Sequence, residues 1–286
     1  MPVLDLPVID THVHLWDPAL FKLSWTEDKP VLTRPYKLPE FNEASREIEV
    51  EGFVFIEAAV DPQYSFLEVA WVGNLARLEP RLKGIVAMAP LEHGKRVRHY
   101  LERLLDSGPL IKGIRRLIQG EPDPNFCLQP DFIEALRLLP DFGLSFDICI
   151  YHNQLPAAIE MVKQCPGNEF ILDHIAKPAI KSGELSPWQE NMAQLAQLPN
   201  VVCKISGLVT EADQENWTED NLAPYVSHVL EVFGEDRVMF GSDWPVALLA
   251  SPYTRWIETL DRLTSHLSVE ARRKLWAGNA RRVYRL

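Results

Sequence analysis

Cysteine is scarce: Cys127, Cys149, Cys165 and Cys203 lie far apart in 286 residues and form no C-x-x-C pair. That spacing excludes a disulfide framework or a zinc knuckle and predicts buried, reduced thiols. Also missing is any uncharged apolar run near the ~20 residues that cross a bilayer. The opening, MPVLDLPVIDTHVH, has no cationic start followed by an apolar stretch. No membrane partner and a cytoplasmic location are therefore expected. Basic residues are in deficit, 29 Lys and Arg against 40 Asp and Glu, a net charge of −11. This balance leaves no nucleic-acid footprint, and the one Arg-rich stretch, residues 271–285, reads as an exposed helix face closing the domain. Neither G-x-G-x-x-G nor G-x-x-x-x-G-K-[ST] follows the first apolar run, so the usual nucleotide cradles are absent.

What is present is ample apolar material, 47% hydrophobic against 24% charged residues, enough for a large core. Eight short β-branched runs recur at 8–9, 52–56, 84–88, 111–114, 144–150, 170–172, 201–205 and 238–240. Their starts fall roughly 26–44 residues apart, the room that a strand, a crossover helix and its loops require. Stretches with helical spacing lie between them, at 66–78, 97–105, 132–139 and 222–233. The strands read as continuous apolar runs, the pattern of a parallel sheet covered on both faces. Together these features predict an α/β fold, a (β/α)₈ TIM barrel of parallel strands formed by residues 1–286 as a single domain. Residues 15–40 hold Trp16, Trp25 and four prolines with no clear period. A loop so long, leaving the end of the first strand where barrel active sites lie, is expected to act as a lid.

IDTHVH sets His12 and His14 two apart, so both imidazoles should project to one side at the first strand's carboxyl end. FILDHIAKP ends the sixth strand with His174 at the same level, beside Asp173 and ahead of Lys177. VMFGSDWPV ends the eighth with Gly241 and Asp243. Three strands thus deliver a ligand or acid/base group to one rim. The fourth ends in Gly113-Ile114-Arg115-Arg116, with Arg115 expected inward and Arg116 outward. Tyr151, His152, Lys177, Trp25 and Trp244 are candidates to line a pocket for a polyhydroxylated ring. Glu57 and Asp147 are further inward carboxylates, expected to be buried and paired.

In its ordered set THVHLWDP, GIRR, LDHIAKP and GSDWPV, nearly the whole chain resembles the amidohydrolase superfamily. It looks most like the sugar-lactone hydrolases, of the fuconolactonase and rhamnonolactonase type, and more distantly like pyrone-dicarboxylate lactonase. The resemblance implies a small-molecule sugar lactone as substrate. It departs from the two-metal members, which use a carboxylated lysine or glutamate after the fourth strand where this chain has a cation, and a histidine from the fifth strand where FDICIYH displaces His152 to the end. A two-metal site is not expected. His12, His14, His174 and Asp243 can still supply three nitrogens and one oxygen to a single zinc. The expectation is nevertheless a lactonase that requires no metal, with Asp243 as general base and Arg115 and His12, His14 or His174 polarising the carbonyl. The rival readings are a zinc-dependent decarboxylase of the same superfamily, which releases carbon dioxide and fails on chelation, and a barrel that binds a sugar acid without turnover.

Overall fold

Eight strands form one sheet in the computed structural model, which describes residues 4–286. They are β1 (Val8–Val13), β2 (Val50–Ile56), β3 (Leu82–Met88), β4 (Ile111–Arg115), β5 (Ser145–Ile148), β6 (Phe170–Leu172), β7 (Val201–Ile205) and β8 (Val238–Phe240). They lie in sequence order and each neighbouring pair is parallel. The ring shuts where the end of β1 meets the chain beyond β8: Asp243 N donates to His12 O at 2.9 Å and His14 N to Trp244 O at 2.7 Å. The expected (β/α)₈ barrel is the observed architecture. Helices cross over between strands, with Ser65–Leu75, Val97–Leu105 and Glu219–Phe233 close to the stretches predicted for them.

The barrel interior divides into two levels. At the amino end, Ile9, Val54, Val86, Ile171, Val202 and Met239 pack against Ala277, Ala280, Val283 and Tyr284 of the C-terminal helical segment. That segment plugs the bottom of the barrel, removing its apolar layer from water. One level higher the inward positions become polar. Arg115, Asp147, Asp173 and Lys204 are all buried there. A buried charge is tolerated only when it is paired, and each of these is.

The segment 15–40 is more ordered than its composition suggests. Two 3₁₀ turns, Ser24–Thr26 and Pro30–Leu32, interrupt it. Trp16 and Tyr36 form an antiparallel bridge across it, and its end enters a helix, Leu38–Ala44, whose Pro39 suits a first turn that needs no N–H. Trp16 and Tyr36 are fully buried. Among the described residues, no helix is long and apolar enough to cross a membrane.

Candidate active site

At the carboxyl end of the strands a cavity of about 180 Å³ is walled by His14, Trp25, Ala58, Ala59, Arg115, Leu117, Gln119, Cys149, His174, Lys177, Asp243 and Val246. His12, fully buried, lies behind that wall against His14, His174 and Asp243. Three imidazoles converge on one carboxylate oxygen: the Nε2 atoms of His14, His12 and His174 lie 3.4, 3.7 and 3.9 Å from Asp243 Oδ1. The rings of His12 and His174 are 4.3 Å apart between centroids, those of His12 and His14 4.9 Å.

Strained backbone aims these groups. His174, Ile175, Ala176 and Lys177 all have positive φ, as do Asp243 and Ala59. For residues with a Cβ this left-handed conformation costs on the order of 1–2 kcal/mol each, and it persists only where the surroundings enforce it. The left-handed turn after β6 sends both His174 and Lys177 into the cavity, and Trp188 Nε1 clamps it by donating to Ile175 O at 2.8 Å. Glycines supply the clearance. A Cβ on Gly207 would sit 2.6 Å from His174 Nδ1, and one on Gly241 would sit 2.9 Å from His12 Cβ.

Each ring also has a partner behind it. His14 Nδ1 donates to Ile56 O at 2.8 Å, since a carbonyl can only accept. His174 Nδ1 pairs with Ser206 Oγ at 2.9 Å, and His12 Nδ1 lies 3.4 Å from both Lys204 Nζ and Asp173 Oδ1. Arg115 is braced by Glu57, with Nε to Oε1 and NH2 to the Glu57 carbonyl both 2.6 Å, while its NH1 lies 3.2 Å from His12 Nε2. Arg116 points outward to Glu92 and Glu121. Lys177 is held by Glu211 at 2.9 Å.

The electrostatics follow from burial and these neighbours. Desolvation, then Lys204, His14 and Arg115, hold His12 well below the ordinary imidazole value. Desolvation also dominates at His174, so both rings are neutral. Burial pushes Asp243 upward, yet His174, His14 and Lys177 outweigh it and keep the carboxyl below its ordinary value. Asp243 is therefore an anion at neutral pH. Burial raises the Cys149 thiol to about 12, leaving it inert.

Residues 9–286 match the family model described as amidohydrolase. The chain belongs to the amidohydrolase family. It is 32% identical to the L-fucono-1,5-lactonase of Burkholderia multivorans over 97% of this chain and 96% of that one. It is 25% identical to the L-rhamnono-gamma-lactonase of Scheffersomyces stipitis over 98% of both. Among solved structures, an amidohydrolase from Burkholderia multivorans with bound zinc superimposes with a TM-score of 0.88 at 30% identity, covering 98% of this chain and 99% of that one.

Of the residues read from the sequence, the structure gathers His12, His14, His174, Asp243, Arg115, Trp25 and Lys177 around the cavity. It does not bring Trp244, Tyr151 or His152 to the wall. The left-handed turn at Asp243 makes successive side chains diverge, so Trp244 packs outward against Tyr36 and Phe41. β5 ends at Ile148, and Tyr151 and His152 lie on the turn beyond, Tyr151 43% exposed. Sequence reasoning missed Lys204, Ser206, Gln119 and the Ala58–Ala59 rim. A lone cation inside the apolar strand VVCKI was the signal for Lys204.

The donor set also suits a single divalent cation. His12, His14 and Asp243 offer ligand atoms within 4.8 Å of one another, as do His12, Asp173 and His174. The Nδ1 contacts behind the rings are the outer support that imidazole ligands ordinarily have. One feature opposes metal: Arg115 NH1 already occupies the His12 Nε2 lone pair.

Proposed function

We propose that this amidohydrolase opens sugar lactones, converting an aldono-1,4- or 1,5-lactone and water into the sugar acid. The observation that carries the reading is the buried, ionised Asp243 ringed by three imidazoles and flanked by Arg115 and Lys177 at one end of the barrel. The near-full-length likeness to L-fucono-1,5-lactonase supports the substrate class.

Asp243 acts as general base. It takes a proton from a water whose oxygen bonds to the lactone carbonyl carbon, and the carbonyl π pair moves to oxygen. Arg115, Lys177 and the His174 imidazole stabilise that oxyanion, in a buried site where fixed charges act more strongly than in water. When the C–O double bond re-forms, the ring C–O bond breaks. The departing alkoxide takes back the proton held by Asp243, directly or relayed through a histidine, restoring the site. Trp25, Lys177 and Gln119 bind the ring, with the segment 15–40 as a lid over it.

A single zinc held by His12, His14, His174 and Asp243 would add Lewis-acid polarisation of the carbonyl. We propose that the reaction does not require it. A lactone is an activated ester, two cations already stand in the wall, and an ion at His12 must first displace Arg115. The test is a pH-indicator screen of sugar 1,4- and 1,5-lactones, with and without chelator. Acid release from at least one lactone is expected. Tight binding of sugar acids with no acid release from any of them would replace the lactonase with a binding protein.

A further inference from the structure

The cavity wall across from Asp243 is built by the chain that leaves β4. In a ring of eight strands in sequence order, β4 stands opposite β8. Gln119, four residues beyond the end of β4 at Arg115, therefore lines the side of the cavity remote from Asp243 and Val246. Its backbone is pinned on both sides. Ile118 N and Gln119 N both donate to Cys149 O, at 3.1 and 2.9 Å, and Ile118 O accepts from Nε2 of the buried Gln154 at 3.0 Å. Gly120, with a φ of 81°, then carries the chain away.

The side chain is oriented as well. Cys149 Sγ lies 3.3 Å from Gln119 Oε1, and both residues line the cavity. Burial keeps the thiol protonated, so it donates and the carboxamide accepts through its oxygen. Nε2, with its two hydrogens, is thereby turned away from Cys149. Among the described residues, no protein acceptor holds that nitrogen. The other polar wall groups are already engaged: Arg115 with Glu57, His14 with Ile56 O, His174 with Ser206 and Lys177 with Glu211. Gln119 is only partly buried, so water satisfies its nitrogen in the free protein, and a ligand that displaces this water must supply an oxygen in its place.

We propose that Gln119 determines specificity: aimed by the Cys149 thiol, its amide nitrogen donates to a hydroxyl oxygen on the part of the lactone remote from the reacting carbonyl. The role rests on the lactonase reading for its substrate class. A lactone without that one hydroxyl displaces the water and leaves the donor unpaired, so it is selected against. The contact lies away from the reacting carbon and is made equally in the ground and transition states, so it acts on KM.

The test takes the best lactone from the indicator screen, with analogues that each lack one hydroxyl, on full-length wild type, Gln119→Met, Cys149→Ser and Cys149→Ala. Wild type should prefer the parent over one of these analogues by about tenfold in kcat/KM, chiefly through KM. Gln119→Met, similar in size but without a donor, should bring that ratio to within about twofold of unity and leave the ratios at the other hydroxyls unchanged. Cys149→Ser still donates and should keep the ratio. Cys149→Ala frees the carboxamide to turn and should lower it about threefold. A purely structural role would depress turnover of every analogue alike, so a uniform loss in Gln119→Met overturns the proposal. Gln119→Met ratios all within about twofold of wild type do the same, as does a Cys149→Ala ratio equal to wild type, which would remove the aiming by the thiol. Where no lactone is turned over, the same ratios are read by calorimetry as dissociation constants of the parent and deoxy sugar acids. That outcome removes the lactonase reading alone, whereas absence of both turnover and binding overturns the two together.

Discussion

The main-chain N–H of Asp243 donates to the carbonyl of His12 at 2.9 Å, so the bond that shuts the barrel also sets the proposed general base beside the buried His12 imidazole. Only the backbone of each residue takes part. Changing the Asp243 side chain therefore leaves the closure intact.

Asp243→Asn should accordingly fold with a thermal midpoint close to wild type and lose turnover by about 10³-fold or more, since an amide cannot accept the proton from water. KM should change little if the side chain acts on water and not on the sugar. Steady-state kinetics beside a melting curve check both halves. Retention of a tenth of wild-type kcat would remove Asp243 as the base.

The barrel and most of its rim were legible because β-branched runs at the right spacing specify parallel strands, and strand ends specify the mouth. His12, His14, His174 and Asp243 sit immediately at those ends, where small errors of register do not matter. The direction of Trp244 was not legible. Trp244 follows Asp243 by one residue, yet the positive φ of Asp243 turns it to the opposite side. Lys204 was hidden for a different reason. Strands buried on both faces read as continuous apolar runs, which conceals the period-two pattern that turns Val202, Lys204 and Ser206 inward together.

Prolonged dialysis against a chelator should leave at least half of the lactone turnover, and zinc should titrate to no more than one ion per chain. Arg115 NH1 at the His12 lone pair stands in the ion's way, so Arg115→Met should tighten zinc binding while lowering turnover. Metal analysis, calorimetry and the indicator assay on the same samples separate these effects. Activity that rises and falls in proportion to bound metal would contradict the metal-free reading.

Glu68 supplies a stability prediction. It is fully buried, with Oε1 accepting from Ala58 N at 2.8 Å and Oε2 without a partner. Burial, and then the Glu57 carboxylate, raise its pKa to about 8. The folded protein thus keeps this proton at pH 7, whereas the unfolded chain releases it above its ordinary value near 4.5. Stability is lost as pH climbs between those two values and levels off above the higher one. Glu68→Gln imitates the protonated side chain without that release. It should match wild type near pH 4.5, exceed it by about 3 kcal/mol at pH 7, and hold a constant advantage beyond pH 8. Urea midpoints across this range provide the check, and a difference independent of pH would show that Glu68 is already ionised in the fold.

Trp25 tests whether the segment 15–40 closes over substrate. Its indole N–H donates to Ala58 O at 2.9 Å, and its ring stands edge-on to Trp16 at 5.8 Å. One side chain therefore ties the segment to the strained Ala58–Ala59 rim and forms part of the cavity wall. Trp25→Phe keeps the apolar wall but loses one hydrogen bond, worth about 1 kcal/mol, so KM should rise about fivefold with kcat nearly unchanged. Trp25→Ala removes wall and tether together. It should lower kcat/KM by about 10–100-fold, because a sugar face loses its platform and water enters a site whose fixed charges depend on its exclusion. The ordering matters more than either number: a structural role alone would depress stability in both variants without separating KM from kcat. Kinetics on the best lactone, with melting temperatures alongside, distinguish the two. An unchanged KM in Trp25→Ala would detach the segment from substrate binding and leave it a packed surface excursion.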